Sequence, residues 1–142
     1  MNAANMANAY KRQQILTATP AELTLMLYNG AIRFVTESML AIEKKEIKKA
    51  HDANMRAQKI VRELMLATDM KQEISQKWIL IDEYILHCLV QGNIKKDKLK
   101  LEEAKKFLLD FRDAWVQAMK QVCMDQGKNN AASKAVERKI EA

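Results

Sequence analysis

TPAELTLMLYNGAIRFVTESMLAIEK, residues 19–44, decides the fold. The stretch announces its own start: Thr19 stands as an N-cap, Pro20 occupies the first helical position, and Glu22 follows three residues after the cap to close a capping box. From there the apolar residues recur with a helical period rather than a strand's alternation, and a rise of about 1.5 Å per residue makes the helix roughly 37 Å long. Counting about 100° per residue, Leu23, Leu27, Gly30, Ala31, Phe34 and Ala41 share one side, and Leu25, Tyr28, Ile32, Val35 and Met39 share the opposite side. A helix that only builds a core needs one apolar face. This one has two, and the second must be covered either by the chain itself or by a partner.

Downstream, no Gly or Pro ends the helix, but the apolar phase resets at Ile47 and places a turn near Lys45-Glu46. A second helix over residues 47–67 puts Ala50, Ala53, Ala57, Ile60, Val61 and Leu64 on one stripe, with Lys49, Arg56, Lys59 and Glu63 outside it. Asp69 followed by Gln72 reads as another capping box, opening a third helix that runs to Gly92 as its stop. Ten of the thirteen residues from Trp78 to Val90 are apolar, against the roughly three in seven that a core-facing helix needs. Trp78, Ile81, Ile85, Cys88 and Leu89 form one stripe of this helix, and Ile79, Leu86 and Val90 form a second. The fourth helix, residues 98–124, carries Leu101, Ala104, Leu108, Phe111, Trp115, Met119 and Val122 on one side, and Gly127-Lys128-Asn129-Asn130 breaks it. No segment alternates like a strand. The pattern predicts an all-α protein, an antiparallel four-helix bundle over residues 19–126, followed by a weakly helical or disordered tail over 127–142.

Upstream, residues 1–18 read as a flexible segment whose small, polar start frays. Tyr10, Ile15 and Leu16 are its apolar points and suggest a short piece that docks on the body.

The chain of 142 residues is 49% hydrophobic, enough for one continuous core without disulfide or metal staples. Cys88 and Cys123 are too few for a disulfide framework and read as reduced thiols of a cytosolic protein. The start lacks the pattern of a signal peptide, and no run reaches the roughly 18 apolar residues of a membrane span. A net charge of +6 permits nucleic acid, an anionic membrane surface or an acidic protein as partners and selects none of them. The lysine clusters Lys44-Lys45 with Lys48-Lys49, Lys95-Lys96 with Lys98 and Lys100, and Lys105-Lys106 lie mostly at helix ends, where solvation and the helix dipole account for them.

Chemistry-bearing constellations are missing. His51 and His87 have no ligand spacing with cysteine or carboxylate, one reading as exposed and the other as packed beside the apolar groove. The three glycines are isolated, so no phosphate loop exists, and no helix-turn-helix or basic-aromatic interleaving supports nucleic-acid binding. The expectation is no catalytic site, no cofactor and no metal. Gly30 in mid-helix costs up to about 1 kcal/mol against Ala, which points to close approach by another backbone, from the bundle or from a partner. Nine methionines admit the same two readings, core filler or adaptable groove lining.

Three runs in the first third of the chain resemble a known family: Ala9-Tyr10, then Leu16-Thr17-Ala18-Thr19-Pro20-Ala21-Glu22-Leu23, then Met26-Leu27-Tyr28-Asn29-Gly30-Ala31. They are similar to the flagellar secretion chaperones, the FliS family, whose members open with a Tyr, a Thr-Ala-Ser/Thr-Pro-x-x-Leu stretch and a Met-Leu-Tyr-acid-or-Asn-Gly motif. Glu73-Ile74-Ser75, Asp82-Glu83-Tyr84-Ile85, Asn93-Ile94-Lys95-Lys96-Asp97 and Phe111-Arg112-Asp113-Ala114-Trp115 extend the likeness, with Ile81 standing where an aromatic is common. The tail after Gly127 matches nothing in it. The resemblance implies a cytoplasmic helical bundle that binds the disordered C-terminal segment of flagellin, blocks its premature polymerisation and delivers it to the flagellar type III export apparatus. On that reading the second faces form the groove: Leu25, Tyr28, Ile32, Val35 and Met39 on the first helix, with Ile79, Leu86 and Val90 on the third. The resemblance further implies that the segment around Tyr10, Ile15 and Leu16 caps part of the groove and contacts the export gate. An anti-sigma factor or other assembly protein stays open as a further partner; nucleic acid and membrane insertion are not expected. Two other readings stand beside this one. In the first, the second faces pair between copies and make a homodimer; in the second, a basic module binds nucleic acid with steep salt dependence.

Overall fold

The computed structural model describes residues 2–68 and 73–141. Among the described residues every regular element is helical: α1 (Ala3–Thr17), α2 (Pro20–Glu43), α3 (Ile47–Ala67), α4 (Glu73–Lys95) and α5 (Lys98–Glu141). The predicted capping box at Asp69 and Gln72 lies outside the described residues. The chain divides into two compact units, Met1–Arg112 and Asp113–Ala142.

The start of α2 follows the sequence closely. Thr19 Oγ1 accepts the Glu22 N–H at 3.2 Å, Glu22 Oε2 accepts the Thr19 N–H at 3.4 Å, and Pro20 is the first helical residue. Its end, without Gly or Pro, is closed by Lys45 at φ 58°, with the Lys45 N–H donating to the Ile42 carbonyl and the Glu46 N–H to the Ala41 carbonyl. That is a Schellman closure with lysine in the left-handed position. The turn falls where the apolar phase resets.

Within the first unit the core is drawn from Ala31 and Val35 of α2, Ala57 and Val61 of α3, Ile85 and Leu89 of α4, and Leu101 and Leu108 of α5, all without exposed surface. The predicted α3 stripe is buried along its length except for half-buried Ile60. Small residues on that stripe let α2 and α3 approach closely. Gly30 belongs to this contact, because a Cβ there would stand 3.3 Å from Ile60 Cδ1. Two buried polar side chains, Asn54 and Gln58, lie beside the stripe. Asn54 Nδ2 donates to the Leu89 carbonyl at 3.1 Å and its Oδ1 accepts from Gln58 Nε2 at 2.7 Å, while Ser38 Oγ donates to the Ala50 carbonyl at 2.8 Å. These bonds tie α3 to α4 and α2 to α3, and through them Ser38, Asn54 and Gln58 each find a partner inside the core.

Three expectations are corrected. Gly92 does not stop α4, which continues to Lys95 and closes through Lys96 at φ 49°. The glycine is there for proximity, since a Cβ would meet Leu101 Cδ2 at 2.7 Å. Gly127 does not break α5 either; the helix passes through it to Glu141. One exposed glycine costs only about 1 kcal/mol, which neighbouring good formers such as Ala131, Ala132 and Ala135 offset. The N-terminal segment, read as fraying, is helical from Ala3, with Asn2 Oδ1 capping the Asn5 N–H at 2.9 Å, and it buries none of its residues.

In the second unit, α5 is helical from Asp113 onward and exposed throughout residues 120–139, with Val122, Met124 and Val136 facing solvent.

Candidate functional site

Burial along α2 is centred between the two predicted faces. Tyr28, Ala31, Val35 and Ser38 form the buried line, with Leu23, Leu27 and Phe34 half-buried on one shoulder and Leu25, Ile32 and Met39 half-buried on the other. The reason is Ser38, a polar residue that the apolar pattern passes over and whose bond to the Ala50 carbonyl turns that line toward α3. Of the eight side chains read as groove-lining, Tyr28 and Val35 are therefore buried in the first unit's core. Leu25, Ile32, Met39, Ile79, Leu86 and Val90 are half-buried, each with apolar surface still open to solvent.

Tyr28 belongs to a cluster that the sequence did not single out. Its ring lies 6.5 Å from that of Phe111, and Phe111 lies 5.8 Å from Trp78, so α2, α4 and α5 each contribute one aromatic. One turn beyond Trp78, the Asp82 carboxyl is only 5% exposed. Burial pushes its pKa from 3.8 up to about 6, and Tyr28 is pushed up to about 12, first by burial and then by the charge of Asp82. The signal available in the sequence was a lone carboxylate on the Trp78–Ile85 stripe of an otherwise apolar run.

The N-terminal residues are divided by the structure. Ile15, with Lys11 and Gln14, forms one wall of a recess of about 480 Å³, opposite Met26, Asn29, Gly30 and Arg33 of α2. All three stay largely exposed, Tyr10 at 66%, Ile15 at 55% and Leu16 at 84%. A second recess, about 690 Å³, lies between α2 and α3 and is lined mainly by charged residues, among them Glu37, Asp52 and Arg56. None of the eight groove residues lines either recess. Arg56 and Arg33 both stand over the Phe34 ring, at 5.6 and 4.9 Å from its centroid, so that shoulder is roofed by cations.

Both histidines are exposed, which corrects the reading of one as packed beside the groove. His51 Nδ1 contacts Asn93 Nδ2 at 3.0 Å, and the His87 ring stacks on Tyr84 at 6.4 Å between centroids. Among the described residues no group of His, Cys, Asp and Glu could hold a metal ion. Cys88 is buried, and burial pushes its thiol pKa up, away from nucleophilic use. What the geometry offers is apolar, partly open surface on either side of a packed line, with one buried carboxyl behind it.

Comparison with known proteins follows the same line. A family model described as flagellar protein FliS matches residues 3–122. The chain is 39% identical over 115 residues to the flagellar secretion chaperone FliS of Bacillus subtilis (strain 168), covering 81% of this chain and 86% of that protein. It is also similar to the proteins of the same description from Escherichia coli (strain K12), 22% identical over 84% of this chain and 93% of that one, and from Salmonella typhimurium (strain LT2), 26% identical over 72% and 78%.

Proposed function

The chain belongs to the FliS family of flagellar proteins, and from that premise we propose that it is a cytoplasmic export chaperone that holds the C-terminal segment of flagellin until delivery to the export apparatus. The observation that carries the reading is the open shoulder of α2, Leu25, Ile32 and Met39, in a helix whose buried line is already complete without them. Half-buried Ile79, Leu86 and Val90 supply a similar surface on α4. In this reading α2 to α5 act as an antiparallel four-helix bundle, and the cargo adds amphipathic turns across its outer apolar strips. A segment disordered when free gives up ordering entropy on binding, which holds affinity per area down and suits a cargo that must be released. Tyr10 and Leu16, exposed on α1, are available to contact the export gate, while Ile15 faces α2.

The test uses shoulder residues, because Val35 is wholly buried and a charge there unfolds the protein. Ile32→Glu with Met39→Glu is measured by size-exclusion chromatography and calorimetry against a flagellin C-terminal peptide. The wild-type chain forms a stable heterocomplex, and the variant keeps its circular dichroism but loses the complex. Retention of full affinity by a folded variant refutes the placement of the groove, and absence of a complex with the wild-type chain refutes the reading as a whole.

A further inference from the structure

Two turns of the first unit carry lysines where helix physics disfavours them. Lys44 and Lys45 follow α2, and Lys95 and Lys96 end α4, positions where cations suit the negative end of a helix dipole. Lys48 and Lys49 of α3, and Lys98 and Lys100 of α5, do the opposite. They occupy the positive ends of their helices, and neither first turn holds an acidic residue to compensate. The acids stand just outside: Glu46 at the N-cap of α3, without a side-chain cap bond, and Asp97 before α5, whose Oδ1 accepts the Leu99 N–H at 3.0 Å. Lys45 and Lys96 add a second departure: their φ angles of 58° and 49° lie in the left-handed region that glycine occupies at lower cost. Solvation and the dipole explain half of these lysines. Lys48, Lys49, Lys98 and Lys100 break the dipole rule and Lys45 and Lys96 the backbone rule, the pattern of a site kept for something other than stability.

The two turns are neighbours. Lys98 pairs with Glu43, joining the start of α5 to the end of α2, and the Asn93–His51 contact joins the end of α4 to the start of α3. Residues 43–49 and 95–100 together hold eight lysines against three acids, Glu43, Glu46 and Asp97. Lys49, Lys98 and Lys100 are engaged by Glu46, Glu43 and Glu103. Lys44, Lys45, Lys48 and Lys95 are exposed and make no ion pair among the described residues. In or beside the two turns four aliphatic side chains are left exposed: Leu40, Ile47, Ile94 and Leu99, the last two at 70% and 73%.

We propose that this end of the molecule docks peripherally on an anionic lipid bilayer. Lysine is suited to that surface because its alkyl stem lies along apolar material while the ammonium reaches a headgroup, and clustered lysines are drawn to anionic leaflets. The four aliphatic chains enter the interface between them. Neither turn contains arginine or an aromatic residue, the forks and stacking platforms that a phosphopeptide or nucleic-acid site is built from. No described helix is long and apolar enough to cross a membrane, so the contact is superficial. The proposal does not depend on the cargo groove, since Leu40, Ile47, Ile94 and Leu99 are not among its residues.

The experiment is co-sedimentation of the full chain with phosphatidylcholine vesicles, with and without one-third phosphatidylglycerol. The chain partitions to the phosphatidylglycerol vesicles and is released by high salt. Lys44→Gln, Lys45→Gln, Lys48→Gln and Lys95→Gln in one chain lower that partition by about tenfold or more, and Ile94→Ser with Leu99→Ser lowers it without changing the charge. Lys45→Gly with Lys96→Gly separates docking from folding: it raises the melting temperature while weakening vesicle binding. Equal sedimentation with both vesicle types, full partition by the glutamine variant, or binding to a soluble polyaspartate peptide with none to phosphatidylglycerol vesicles overturns the proposal.

Discussion

Helices α2 and α3 lie against each other and use their apolar residues in different ways. On α3 the buried stripe runs from Ala50 to Leu64 and is flanked mainly by charged residues, with exposed Ile47, Met55 and Leu66 scattered apart from it. On α2 an equally complete buried line, Tyr28 to Ser38, is bordered on both sides by half-buried aliphatic and aromatic residues. Burial of one line suffices to place a helix; a second and third strip add surface whose removal from water is worth about 25 cal/mol per Å² to whatever covers it. The comparison teaches that an interaction surface in a helical protein shows as excess beyond the packing requirement, not as a special residue.

The comparison breaks first at Val35. Val35→Asp places an unpaired charge on the buried line of α2 and is expected to cost about 3–5 kcal/mol, read as loss of cooperative melting by circular dichroism. If Val35→Asp instead melts like wild type, the buried line is misplaced and the shoulders lose their meaning. Next is Asp82→Asn. The folded pKa of Asp82 is raised from 3.8 to about 6, so the folded state binds the proton more tightly and stability falls as pH rises through that window. Removing the charge therefore stabilises the protein above pH 6, by up to about 3 kcal/mol, and flattens the decline between roughly pH 4 and 6 in urea titrations. A variant no more stable than wild type at pH 8 would show that Asp82 ionises without penalty.

Smaller effects sharpen the contrast between packed and open helix. Gly92→Ala forces a Cβ against Leu101 and is expected to cost about 1–3 kcal/mol, whereas Gly127→Ala meets nothing within 4 Å and gains up to about 1 kcal/mol in thermal melts. Ile32→Gln on the open shoulder changes stability least, by about 1 kcal/mol or less, and its effect belongs in the cargo titration instead.

Where the sequence was legible, one strong local rule acted alone. The Thr19–Glu22 capping box and the α3 stripe are such cases, as is the reset at Ile47. It failed where a long-range contact decides between two local meanings. Gly92 looks like a helix stop until Leu101 is seen against it, and Gly127 looks the same but has no neighbour to explain it. On α2, the hydrophobic count could not reveal that Ser38 sits on the buried line, because a satisfied hydroxyl is as good a core residue as a methyl once a carbonyl is in reach. Asp82 was passed over for the related reason that a carboxyl in a core is costly and the pattern contains no term for it.

The amide of Asn54 against the Leu89 carbonyl, reinforced by Asn93 against His51, also limits how the molecule can move. To slide α3 along α4 by one turn, about 5.4 Å, both ties must part together and a buried amide is left stranded. Shear along that pair is thus locked like a pinned joint. Any rearrangement of the first unit is left to its other elements, and a ratchet between the two middle helices is closed as a route.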